Sequence, residues 1–253
     1  MDGGSTDGSV EILEQHARPE LIWRSEPDSG QSHALNKAFN ESRGEIIGWL
    51  NSDDAYCDRR TVEWMVAVFL KHPDVDVAYG YALLVDEVNT VLQVIGSPPF
   101  SRRLLEAVNY IYQPTVFVRR SALESEATFV RDDLRFVMDR DLWLRLSTRC
   151  RFRRLPRPVA IDRHQRYRKV ASAAFLAEAK HFDESVGIVR SSSSRVLATL
   201  TGVYMRVAGM TTMVLLPWQV DPAIALRIPP FPERAWRQAA VRRRQFAYSP
   251  EGR

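Results

Sequence analysis

The stretch Glu45 to Asp54, EIIGWLNSDD, constrains the fold of this sequence more than any other. Ile46, Ile47, Gly48, Trp49 and Leu50 follow one another without a polar break. Such a run predicts a strand buried on both faces, as in a parallel sheet covered by helices. It stops at Asn51-Ser52-Asp53-Asp54, which ends in two adjacent carboxylates. In open α/β sheets, ligands bind just beyond the carboxyl ends of the strands. Two hard oxygen donors there suit a divalent cation that in turn holds a diphosphate. The same four residue types also favour turns, so a plain turn leading into the helix near Arg60 is the competing reading.

The flanking sequence extends the strand-helix alternation. Ser5 or Asp7 caps a helix to about His16, Leu21 to Ser25 is a short strand, and Gln31 to Phe39 is a helix after the loop Glu26 to Gly30. Thr61 to Leu70 is an amphipathic helix closed by His72-Pro73. The first part therefore reads as a doubly wound parallel sheet. The pattern then becomes mixed. Val77 to Val85 and Val91 to Ile95 form a hairpin, Ser101 to Val108 a short helix, and Thr115 to Val118 a strand entered through Gln113-Pro114. Asp139 to Leu146 is helical, and Phe152 to Ile161 is a strand that Pro156 and Pro158 restrict to an edge or a bulge.

The 253 residues have room for one substantial α/β domain, or one domain with an appendage. Cys57 and Cys150 lie far apart with no metal-type spacing, which points to a reducing compartment and no disulfide framework. No signal-peptide pattern opens the sequence. Asp2 to Gly8 is a turn sequence of the kind that follows a strand, so an N-terminally truncated sheet is expected. Ala171 to Arg190 is helical, Ser191 to Ser194 a polar break, and Val196 to Trp218 strongly apolar around Arg206. That last segment has the length of a membrane span. It also fits an interfacial helix or one packed on the domain or a partner, because arginine, glycines and threonines interrupt it. The tail, with Arg242-Arg243-Arg244, could be attracted to an anionic membrane surface. No nucleic-acid-binding motif accompanies its basic charge.

Four segments stand out together: Asp2 to Gly8, Asp28 to Lys37, Asn51 to Asp54, and Asp139 to Arg145. With them the chain resembles the family 2 glycosyltransferases of the GT-A fold. The matching residues are DGGSTDGS at Asp2 to Ser9, DSGQSHALNKAF at Asp28 to Phe39, GWLNSDD at Gly48 to Asp54, QPTVFVRR at Gln113 to Arg120 and MDRDLWLRL at Met138 to Leu146. The resemblance runs from about Asp2 to Lys169. It implies an α/β, Rossmann-like, mostly parallel sheet with helices on both faces as residues 1–170, followed by a helical and basic extension as residues 171–253.

The resemblance also implies sugar transfer from a nucleoside-diphosphate sugar to a hydroxyl of a saccharide or lipid-linked acceptor, with inversion. Asp54 is the expected ligand of Mg²⁺ or Mn²⁺, and Asp53 of the ribose or the metal. Asp2, Asp28 and Lys37 fall where the family contacts the donor. Asp139 matches the catalytic base, ahead of Asp141. Trp143 and Arg145 support that helix, and Gln113-Pro114 matches the loop beside the acceptor site. His164, Arg168 and Lys169 fall near the family's diphosphate-closing segment, although the histidine is displaced by one position. Surface polysaccharide or glycolipid synthesis in the cytoplasm, at the inner face of the plasma membrane, is the expected setting, with peripheral membrane contact through residues 196–244. A non-catalytic remnant, a related nucleotidyltransferase and a membrane-associated scaffold are the rival readings.

Overall fold

In the computed structural model, the described residues are 1–163, 172–216, and 220, 221, 223, 224, 226 and 227. His164, Arg168, Lys169 and most of the tail beyond Leu216 lie outside them.

The helices are α1 (Ser9–Gln15), α2 (Gln31–Glu41), α3 (Thr61–Lys71), α4 (Arg102–Ala107), α5 (Arg120–Glu124), α6 (Met138–Leu146), α7 (Ala173–Ser185) and α8 (Ser192–Leu215). The strands are β1 (Ile46–Gly48), β2 (Ala55–Tyr56), β3 (Val77–Val85), β4 (Val91–Ile95), β5 (Phe117–Arg119) and β6 (Phe152–Arg163), and a 3₁₀ turn spans Gln113–Thr115. They form a six-stranded sheet in the order β1-β5-β3-β6-β2, with β4 also paired to β3.

The α/β class stands, and helices cover both faces of the sheet. On one face α3 sets Met65 and Phe69 against Ala78, Phe117 and Val159. On the other, Leu105 of α4 and Leu142 and Trp143 of α6 pack with Val77 and Tyr79. The alternation of Val77, Ala78 and Tyr79 between these clusters is the period of a strand. The sheet is mixed rather than mostly parallel. Among the described residues only β3–β6 is a parallel ladder, while β1–β5, β3–β5, β3–β4 and β2–β6 are antiparallel. The cause is local: the tight turn at Asp86 to Thr90 returns β4 along β3, and the 3₁₀ turn sends β5 back between β1 and β3.

Several segment expectations change in the same way. The apolar run yields only three residues of strand, half-buried, because β1 ends the described strand order, and Trp49 supplies the buried anchor. Leu21 to Ser25 makes a single parallel bridge, Asp2 with Ser25, and Ile22 faces solvent. The first helix starts after Gly8, whose φ of 89° suits glycine, and Asp7 serves it from one residue earlier by accepting from the Ser9 N–H at 3.2 Å. Phe152–Arg163 is an interior strand. Its two prolines are accommodated by ladder slips around Tyr79 and Tyr81, and a side chain at Gly80 would strike Val159. The polar break is instead the start of α8, where the Ser191 hydroxyl caps the Ser194 N–H.

The long apolar segment is thus a helix packed on the sheet. The N–H of Gly96, just past β4, donates to the Met205 carbonyl of α8 at 3.1 Å. At Gly209 the approach is so close that a Cβ would lie 1.9 Å from the Val94 carbonyl oxygen. Among the described residues, no helix is long and apolar enough to cross a membrane. Because the obstruction at Gly209 is backbone, Gly209→Ala should lower the unfolding free energy by about 1–3 kcal/mol. Urea denaturation measures this, and an unchanged midpoint contradicts the packing described.

Candidate donor and acceptor site

Asn51, at the end of β1, is the junction of the site. Its side-chain oxygen accepts from Gln31 Nε2 at 2.9 Å and from Trp49 Nε1 at 3.0 Å. Its amide nitrogen donates to Asp54 Oδ2 at 3.0 Å and to Gln113 Oε1 at 2.9 Å. Gln113 in turn donates to the Trp49 carbonyl. All four hydrogen-bonding capacities of the Asn51 amide are used. They tie α2, the strand end, the acidic turn and the 3₁₀ turn together.

The acidic turn is completed from β6. Ala55 pairs with Ile161, which sets Asp54 beside Asp162 across the antiparallel β2–β6 ladder. Burial pushes Asp54 up to about 7; the charges of Asp162 and then Asp53 add to this, against the opposing Asn51 donor and the Arg163 N–H. Arg163 fastens the turn from behind, donating to the Asp53 carbonyl at 3.3 Å and to Asn89 Oδ1 at 2.7 Å. Among the described residues, no three acidic, histidine or cysteine side chains are arranged to enclose a metal ion by themselves. A corner with surplus carboxylate charge nevertheless fits Mg²⁺ or Mn²⁺, which commonly take one or two carboxylates and complete their shell from substrate phosphates and water. Sequence reasoning overlooked Asp162; its signal was an acid closing the apolar run Val159-Ala160-Ile161.

Asp2, Asp28 and Lys37 are brought together by the Asp2–Ser5 and Glu26–Gly30 loops, each already engaged. Asp2 Oδ2 accepts from the Gly4 and Ser5 N–H groups at 3.0 and 2.9 Å and from Ser25 Oγ at 2.6 Å, and Oδ1 accepts from Ser5 Oγ at 2.6 Å. The Ser25 hydroxyl, then the Ser5 hydroxyl and N–H, hold its carboxyl well below the usual range. Asp28 Oδ1 accepts from the Gly30 N–H at 2.8 Å, and its Oδ2 would lie 2.7 Å from a Cβ at Gly3, so the two loops abut. Lys37 pairs with Glu26 at 2.6 Å and donates to the Pro27 carbonyl at 3.2 Å.

The residues of α2 that reach furthest were not the ones the sequence suggested. Ser32 and Asn36, one turn apart, face the approach to α6. Ser32 Oγ donates to the Leu134 carbonyl at 2.7 Å. Asn36 donates to the Val130 carbonyl at 2.9 Å and accepts from the Val130 N–H at 3.0 Å.

At the head of α6, Asp139 and Asp141 have different surroundings. Asp141 is buried and paired with Arg145 at 2.8 Å. Asp139 keeps part of its surface in solvent. Its Oδ2 accepts from Asn109 Nδ2 at 3.0 Å and its Oδ1 from the Arg140 N–H at 2.7 Å. Dense packing around the carboxyl pushes its pKa up, against the opposing Asn109 amide, the Arg140 N–H and the Arg140 charge. Asn109, which sequence reasoning missed, also has a buried Oδ1 with no partner. Asn109 and Gln113 belong to one short segment between α4 and β5, so a single loop touches Asp139 at one end and the Asn51–Asp54 network at the other. Trp143 is core and Arg145 braces Asp141, Glu126 and the Phe129 carbonyl. A cavity of about 540 Å³ between α4, α6 and the start of α8 is lined by neither Asp54 nor Asp139.

Two contacts from α7 fix α6. Glu178 accepts from the N–H groups of Arg135, Phe136 and Val137 at 2.7–3.1 Å, just before the helix starts. Buried Arg140 pairs with buried Asp183 at 2.6 Å.

The family described as Glycosyl transferase family 2 matches residues 1–125. The protein y4gI of Sinorhizobium fredii is 28% identical over 90% of this chain and 25% of its own length. The chondroitin synthase of Escherichia coli is 28% identical over 58% of this chain and 21% of its own length. The chain spans between 16% and 56% of the length of the curated relatives it matches. Among solved structures, the mannosyltransferase PcManGT from Pyrobaculum calidifontis in complex with GDP-Man and Mn²⁺ superposes with a TM-score of 0.52 at 18% identity, covering 98% of this chain and 70% of that one. TarS 1–349 of S. aureus in complex with UDP-GlcNAc gives 0.50 at 16% identity, covering 98% and 63%. At such identities the likeness is one of fold, and it is the GT-A fold.

Because Glu178 satisfies N–H groups at the head of α6, Glu178→Ala should cost about 1–2 kcal/mol of stability. Glu178→Gln, which keeps an acceptor oxygen, should recover most of it. Chemical denaturation of both variants measures the difference, and equal midpoints contradict the capping role.

Proposed function

This chain belongs to the family 2 glycosyltransferases, and on that premise we propose that it transfers a sugar from a nucleoside-diphosphate sugar to an acceptor hydroxyl with inversion. The observation that carries the reading is the single loop that joins Asp139 to the acidic corner through Asn109 and Gln113. It gives one site a carboxylate base and a separate acidic diphosphate-binding corner.

In this reading Asp54 and Asp53 hold Mg²⁺ or Mn²⁺, with Asp162 adding negative charge to the same corner. A cation bound there neutralises charge on the leaving diphosphate. Asp2 and Asp28, with their turn hydrogen bonds, fix the two loops that line the donor, and Lys37 fixes the second through Glu26. The relative in complex with GDP-Man and Mn²⁺ supports this donor class.

Asp139 takes the proton of the acceptor hydroxyl as its oxygen attacks the anomeric carbon. The bond from that carbon to the diphosphate breaks on the opposite face, and the proton remains on Asp139. A base whose pKa is raised by burial is the better proton acceptor. The Asn109 amide holds it ionised and oriented. The catalytic unit we assign is residues 1–170, with the extension from residue 171 bracing α6. The acceptor we assign is a saccharide or a lipid-linked saccharide in surface polysaccharide or glycolipid synthesis, used on the cytoplasmic side of a membrane. The chondroitin synthase relatives support the polysaccharide part.

Release of nucleoside diphosphate from a panel of UDP-, GDP-, dTDP- and CDP-sugars, with saccharide and lipid-linked acceptors, tests this. Asp139→Asn should keep donor binding and lower turnover by about 10²–10⁴-fold. Asn109→Leu removes a donor to the ionised carboxylate, which raises the Asp139 pKa further. The acid limb of its rate profile should therefore move to higher pH. Full turnover in Asp139→Asn, or an acid limb unmoved in Asn109→Leu, contradicts the assignment of the base.

A further inference from the structure

One face of α8 is occupied by the sheet, where Thr201, Gly209, Thr212 and Met213 are buried. On the opposite face Val196, Leu200, Val203, Val207, Met210 and Val214 are 43–64% exposed. Their spacing alternates four and three residues along the helix. That is the spacing of a coiled-coil seam, flanked on one side by Tyr204 and Leu215, which are 40% and 53% exposed. The helix carries none of the Trp, Phe or Lys residues that helices lying in a lipid surface present.

We propose that α8 pairs antiparallel with α8 of a second copy of this chain, about a two-fold axis beside Val203 and Val207. The spacing is the same read in either direction. An antiparallel pair therefore sets Val196 against the partner's Val214, Leu200 against the partner's Met210 and Val203 against the partner's Val207. Valine meets valine and leucine meets methionine, so side chains of similar volume face each other throughout. The contact is isologous and closes at two copies.

Area and charge agree with this occupant. Covered completely, the half-exposed side chains, six from each copy, offer roughly 1,200 Å² in all at most, so the contact falls at the weak, concentration-dependent end of specific interfaces. Arg195 is the charged residue at the exposed N-terminal end of α8, and α8 has no acidic residue. A parallel pair would bring the two Arg195 side chains together. The antiparallel pair parts them by roughly 30 Å, at about 1.5 Å per residue. It also lays each one along the partner's last helical turn, where the helix dipole favours a cation. Arg206 is half-buried and engaged within its own chain.

Sedimentation velocity of the full chain over a concentration series tests the proposal. A monomer–dimer equilibrium is expected, weakened at least about tenfold by Val203→Glu or Val207→Glu, each placing a charge in the seam, with an unchanged melting temperature at concentrations where both proteins are monomers. The register is tested separately by two single variants, Val203→Cys and Val207→Cys. Mixed and oxidised, they should form a cross-linked dimer in higher yield than either alone. A monomer at every concentration, a dimer indifferent to both glutamates, or equal cross-linking in all three samples overturns the proposal. So does a monomer that anionic phosphatidylglycerol vesicles capture through the same seam.

Discussion

The carboxamide of Asn51 is the interaction on which the rest of the site depends. It sits where an apolar strand ends and donates and accepts to its full capacity. A hydrogen bond of this kind contributes about 1 kcal/mol net, but a partly buried amide stripped of partners costs about 1–3 kcal/mol. The network is therefore satisfied as a whole or lost as a whole. Its geometry forces the acidic turn, the head of α2 and the Gln113 turn into one place. The same loop that brings Gln113 in carries Asn109 to Asp139, so the acidic corner and Asp139 are positioned by one segment.

The helix that carries Asp139, the proposed base, is held from two sides. From below, Ser32 and Asn36 of α2 fasten the chain between Val130 and Leu134 that leads into it. From above, Glu178 satisfies N–H groups at its head and Asp183 neutralises buried Arg140. Removing one member of a buried ion pair costs about 3–5 kcal/mol, because the other charge is left in a poor solvent. Arg140 adjoins Asp139, so this pair ties the orientation of Asp139 to α7. The C-terminal helices thus contribute to the site from outside it, and α8 in turn lies on β4 with its backbone against that of Val94 and Gly96.

Much of this was legible in the sequence where a pattern has a local cause. The helices at Gln31, Thr61 and Met138 and the Val77–Ile95 hairpin follow from apolar period and turn residues, and they formed within a few residues of expectation. Asp53 and Asp54 stood out because adjacent carboxylates past an apolar run are conspicuous, and Asp139 through the family resemblance. Strand direction was not legible. Whether Phe117–Arg119 runs with or against β3 depends on a 3₁₀ turn whose composition, Gln-Pro-Thr, does not specify it. Burial of β1 was overestimated because an apolar run does not reveal its place in the strand order. Asp162 and Asn109 escaped notice because their partners lie 108 and 30 residues away in sequence (162 minus 54 and 139 minus 109), and only the folded chain brings them together. Asp2 and Lys37 were found, but as charges available to a ligand. The fold engages both of them in its own loops.

In the function proposed, Asp54 and its neighbours form a cation-dependent nucleoside-diphosphate site. The direct measurement is thermal unfolding of the full chain with UDP, GDP, dTDP or CDP, each with and without Mn²⁺, beside Asp54→Ala. The account predicts a rise in melting temperature with at least one nucleotide that requires Mn²⁺ and disappears in Asp54→Ala. A cooperative melt that no nucleotide shifts, or a shift that survives Asp54→Ala, would contradict it.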